Sequence, residues 1–128
     1  MKNEKVLSLE NKIHGWHTRL KELHFSASSV SIHKIIDDFD SALCEWDDEI
    51  MEDSQAIFGF IEPGEISPEL PKSLDIENLL IEIRSTLAEF LYNLGDVTMW
   101  TGIKSECENF FHQVNKTIYL IKIAKRGD

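Results

Sequence analysis

The densest set of chemistry-bearing side chains lies in one stretch, His33-Lys-Ile-Ile-Asp37-Asp-Phe-Asp-Ser-Ala-Leu-Cys-Glu-Trp-Asp-Asp48-Glu-Ile-Met-Glu52. Imidazole and carboxylate are the donors that hold iron, manganese or zinc. On a helix, His33, Asp37, Asp48 and Glu52 fall within an arc of roughly 100°. Ile35, Phe39, Trp46 and Ile50 centre on the opposite side. One face therefore packs, while the other presents an imidazole and three carboxylates.

Spacing sets how these donors can combine. His33 and Asp37 are one turn apart and suit a shared metal, as do Asp48 and Glu52. The two pairs stand roughly 16 Å apart along the helix axis, too far for one chain to close both around one centre. The four positions are mirror-symmetric about the midpoint between Ala42 and Leu43. Two copies of this helix packed antiparallel about a two-fold axis would set His33 against Glu52 of the partner subunit. Asp37 would then face Asp48 of the partner subunit, giving two equivalent four-ligand sites per dimer. Ser41, Ala42 and Cys44 are small enough for close approach there. The plainer reading is a solvated acidic helix face, since Asp38, Asp40, Glu45, Asp47 and Glu49 crowd the same stretch.

The elements that must position these residues are helical. Apolar residues recur at three- and four-residue steps in four segments, predicting helices at about 3–25, 30–57, 74–94 and 101–124. Ser26-Ala27-Ser28-Ser29 separates the first two and can cap the second. Ser73 and Asp75 suit the start of the third helix and Gly95 its end, with residues 96 to 101 leading into the fourth. Pro63, Pro68 and Pro71, with Gly59 and Gly64, mark 59–72 as the one long connection. That connection reaches about 46 Å when extended, against roughly 40 Å for the second helix. It can thus run the length of the bundle, which an antiparallel neighbour would not require. The expected class is all-α: a ferritin-like four-helix bundle with a long crossover between helices 2 and 3.

Composition narrows the function classes. The chain has 128 residues, 42% hydrophobic and 28% charged, as expected for one globular domain spanning 1–128. Acidic residues number 23 against 13 basic, a formal charge of -10, which argues against binding nucleic acid through its phosphates. No apolar run is long enough to cross a bilayer, and the start turns acidic before any long apolar stretch, so a cytoplasmic protein is expected. Cys44 and Cys107 lie far apart with no Cys-x-x-Cys pair. That excludes a zinc ribbon, and both are expected as small buried or half-buried thiols. The sequon at Asn115 and the terminal Arg126-Gly127-Asp128 carry no function on this reading.

The second helix resembles the ferroxidase motif of the Dps family, the mini-ferritins. That motif runs His, a gap, His-x-x-x-Asp, ten residues, then Asp-x-x-x-Glu. The matching positions are His24, His33, Asp37, Asp48 and Glu52, and Leu23-His24-Phe25 is similar to the family's Leu-His-Trp. The gap between the histidines is nine positions, shorter than the family's usual twelve and similar to small Dps-like proteins of bacteria and tailed phages. The match spans about residues 16 to 58. It implies that His24, His33 and Asp37 of one subunit are completed by Asp48 and Glu52 of its mate. It also implies oxidation of Fe(II) by peroxide or dioxygen, with ferric mineral held in a hollow homo-oligomer, commonly of twelve subunits. Zn or Mn suits the same donors. The Lys-rich tail with which many relatives bind DNA is reduced to Lys2, Lys5 and Lys12 among glutamates, so DNA binding is not expected.

The other histidines are read more simply. His17, two turns before His24, is expected to pack beside Trp16, or else to back the ligands or line their approach; His14 and His112 receive no role. The chain contains no Glu-x-x-His, which argues against a di-iron site inside one bundle. The alternative function is a non-catalytic helical assembly or interaction protein with a degenerate or structural metal site.

Overall fold

The computed structural model describes residues 4–95 and 98–127. These form α1 (Glu4–Phe25), α2 (Val30–Phe58), α3 (Ile76–Leu94) and α4 (Thr101–Gly127), with a single 3-10 turn at Thr98–Trp100 before α4 and no strand among the described residues. The expected helices are all present. Helix 3 starts two residues later than expected because Asp75 is its cap, and α4 runs three residues further. The expected start at residue 3, and residues 96 and 97 of the lead-in to α4, lie outside the described residues.

Capping chemistry fixes the helix ends. Ser29 Oγ accepts the Ile32 amide at 3.2 Å and Asp75 Oδ1 accepts the Asn78 amide at 2.8 Å, each satisfying a donor the first turn would leave unpaired. Gly59, at φ 94°, ends α2 in a conformation costly for any residue with a Cβ, and its amide donates to the Gln55 carbonyl at 2.9 Å.

The apolar stripes meet in one core. α1 packs on α2 and α3, and α4 packs on the same two, so the main contacts run around a square. α1 contributes Val6, Leu9, Ile13, Trp16 and Leu20; α2 contributes Ile36, Phe39, Leu43, Trp46 and Ile50. At the α2–α4 contact Phe110 stacks on Trp46 with ring centroids 4.3 Å apart and planes within 4°, and on Phe39 at 5.5 Å. Phe58 meets Trp100 at 5.0 Å, closing the end where α2 stops and α4 begins. Such buried aromatic pairs contribute about 0.5–1.5 kcal/mol each beyond their area.

The proline-bearing connection is not a loose loop. The Ser67 amide donates to Asn11 Oδ1 at 2.8 Å and the Glu69 amide to the Asn11 carbonyl at 2.9 Å. Lys12 reaches Glu69 at 3.1 Å, and Arg19 donates to the Ser73 carbonyl at 2.6 Å. Gly15 makes this docking possible: a Cβ there would overlap the Glu69 carbonyl. Pro71 of the same connection is buried. Among the described residues, no helix is long and apolar enough to cross a membrane.

Candidate metal centre

Two groups of metal-ligating side chains flank α2. The first begins at its junction with α1. α1 ends as the Ser26 amide and hydroxyl both bond the Glu22 carbonyl, at 3.1 and 3.0 Å, and α2 starts three residues later at the Ser29 cap. This tight turn sets His24 beside His33, with ring centroids 3.8 Å apart and planes inclined by 34°. Phe25 lies edge-on to His24 at 5.4 Å. His33 Nδ1 donates to the His24 carbonyl at 2.9 Å. An imidazole that donates from Nδ1 keeps its lone pair on Nε2, the tautomer a metal ligand needs. His24 Nδ1 is buried with no hydrogen-bond partner among the described residues.

The other expected ligands lie further along α2. Asp37, Asp48 and Glu52 are exposed, as is His33, while Phe39, Trp46 and Ile50 of the same helix are buried. Ser41 and Cys44 between them are exposed and Ala42 is half-buried. The structure therefore brings His24 and His33 together. Within one chain, Asp48 and Glu52 remain about three and four turns away from Asp37, as helix geometry requires.

The second group lies on the α1–α2 seam. His17 Nδ1 and Asp40 Oδ1 are 2.7 Å apart, with Cys44 Sγ 3.8 Å from the same nitrogen. Closer to the start of α1, His14 Nε2 and Glu10 Oε1 are 2.9 Å apart, and Asp47 reaches across from α2 to Glu10. In each trio the potential ligand atoms lie within 4.8 Å of one another.

Two expectations are corrected here. His17 does not pack beside Trp16: the indole turns into the core, while the next residue, about 100° around the helix, pairs with Asp40. Cys44 is exposed rather than buried, and only Cys107 is a core thiol.

Burial governs the electrostatics of the seam. Glu10 is only 2% exposed, and desolvation first, then the adjoining Asp47 carboxylate and the charge of Asp48, push its carboxyl up to about 9. On the far side of α2, Glu106 is pushed up to about 7, first by burial and then by the adjoining Asp53 carboxylate, with the charges of Glu49 and Glu52 adding to it. Burial also lifts the Cys107 thiol to about 12, an effect the neighbouring Trp46 indole only partly offsets.

Sequence reasoning missed Glu10, His14 and Asp47 as a group. The one available signal was the four-residue spacing of Glu10 and His14, which places both on one face. Asp47 was indistinguishable from the surrounding acids until α1 was laid against α2.

No family model, no curated protein and no solved structure matches the chain.

Proposed function

We propose that this chain is a Dps-like mini-ferritin that takes Fe(II) as substrate and oxidises it at sites shared between two-fold-related subunits. In each site His24, His33 and Asp37 come from one subunit and the remaining donors are Asp48 and Glu52 of the partner subunit. The observation that carries this reading is the pairing of His24 with His33 across the α1–α2 turn, with the Nδ1 bond of His33 reserving Nε2 for an ion. The exposure of His33, Asp37, Asp48 and Glu52 on a helix whose other side is buried supports an α2–α2 contact.

A ferritin-like crossover fits the same reading. The connection touches Asn11, then Gly15, then Arg19 as it proceeds from residue 67 to 73, so it descends along α1 after α2 has ascended. Lys5 near the start of α1 bonds the Asn93 carbonyl at the end of α3, which agrees with α2 and α3 running in the same direction.

The chemistry suits the donors. Carboxylates and imidazoles hold both iron oxidation states and leave positions for an oxidant. Each Fe(II) gives up one electron, and one peroxide takes two with two protons to leave water. An overall charge of -10 raises the local concentration of the cation.

Complementation tests the shared site. A chain carrying His33→Ala and Asp37→Asn, and a second carrying Asp48→Asn and Glu52→Gln, are each expected to oxidise Fe(II) no faster than buffer. Mixed, unfolded and refolded together at equal amounts, they are expected to recover about a quarter of the wild-type sites, because half the dimers are mixed and each holds one intact site. Wild-type protein that does not outpace buffer with dioxygen or peroxide would reject the activity. Activity in either variant alone would reject the ligand set, and a mixture that stays inactive would reject sharing between chains.

A further inference from the structure

Away from the exposed face of α2, the structure contains a second set of donors that the proposed iron chemistry does not use. Glu10 and His14 stand one turn apart on α1 and Asp47 faces them from α2. One ligand atom from each lies within 4.8 Å of the other two. Among them Glu10 is buried at 2% exposure, its Oε1 is paired with His14, and its Oε2 has no hydrogen-bond partner among the described residues. Asp47 Oδ1 is buried and equally without a donor. Two buried acceptors crowded together with no donor between them are costly, and a cation removes that cost for both at once.

We propose that Glu10, His14 and Asp47 form a binding site within a single chain for a divalent first-row transition-metal ion of the Zn(II) or Fe(II) class. Two carboxylates and one imidazole make a borderline donor set. A Mg(II) or Ca(II) site would instead be built from oxygens alone and from more of them. Because the donors come from two helices, the ion cross-links α1 to α2. Because they come from one chain, binding does not depend on an α2–α2 dimer.

The test uses the full-length chain carrying His33→Ala and Glu52→Gln, which disables the proposed shared site, so the outcome is independent of the ferroxidase reading. Co(II) is the probe, by equilibrium dialysis and visible absorption. The expected result is one Co(II) per chain with intensified visible bands. Adding His14→Gln or Glu10→Gln is expected to weaken binding by at least about tenfold, with helix content unchanged by circular dichroism. His14 is half-exposed, so His14→Gln remains informative even if the buried Glu10→Gln fails to fold. Three results would overturn the proposal. One is failure to retain Co(II), which leaves a shared proton as the occupant of the carboxylate pair. Another is equal retention by the His14→Gln chain. The third is a thiolate-to-cobalt band that disappears with Cys44→Ser, which would move the ion to His17, Asp40 and Cys44.

Discussion

Replacing Glu10 by Gln is expected to stabilise the metal-free protein in mild alkali and to leave it nearly unchanged in mild acid. Burial pushes the Glu10 carboxyl up to about 9 in the folded chain from its ordinary 4.5, so between those values the folded state holds a proton that the unfolded chain releases. A carboxyl raised in this way favours folding least at high pH: its burial costs nothing extra below the unfolded value and progressively more as pH climbs toward the folded one. For one proton the slope is ~1.4 kcal/mol per pH unit, which sets a ceiling of ~4 kcal/mol between about pH 5 and about pH 8. Glu10 itself is buried, but its partner His14 has a side chain 43% exposed, so water relaxes the seam and ~2 kcal/mol is the expected effect. Gln keeps the geometry, since its carbonyl oxygen accepts from His14 and its amide donates to Asp47 without needing a proton. Urea unfolding of wild type and Glu10→Gln, at matched protein concentration and with chelator present, measures the difference at both pH values. A difference that does not change with pH, or a variant less stable than wild type at about pH 8, would refute the assignment of a proton to this buried pair.

Gly15→Ala is expected to lower stability by ~1–2 kcal/mol in urea unfolding, because overlap with the Glu69 backbone outweighs the better helix propensity of Ala. The same variant is expected to be nicked faster within 59–72 under limited proteolysis. Thiol labelling under native conditions is expected to modify Cys44 and spare Cys107, which is buried in the core with its pKa raised to about 12. Labelling of both at similar rates would contradict the packing of Cys107 between α2 and α4.

The helices and their core were legible because each stripe is long and regular; Ile13, Trp16 and Leu20, or Phe39, Leu43 and Trp46, admit no other period. The Ser29 and Gly95 boundaries were legible for a local reason, since capping and positive φ depend on few residues. The seam was not. Glu10 follows Leu9 on a helix whose face pattern alone would place it at the margin of the core, and nothing local says that Asp47 covers it. His17 shows the same limit from the other side: its neighbour Trp16 defines the buried direction, yet the imidazole's partner, Asp40, is 23 residues away. Short-range pattern fixes faces, whereas pairings across faces depend on the axial register of two helices, which no single segment encodes. The closeness of His24 and His33 lay between these cases. It depended on a turn of known brevity, and the nine-residue interval proved short enough to bond one ring to the other residue's carbonyl.

The bare flank of α1 at Gly15 has a bearing on how the chain closes on itself. That flank exists only after α1 has coiled, so the strap from 59 to 72 has nothing on α1 to grip until that helix has formed. Before that moment the strap is a tether long enough to let α3 and α4 of one molecule settle on the hairpin of another, the usual route to exchanged halves. The two amides that Asn11 captures thus act as a lock on self-recognition, holding each chain's second hairpin to its own first.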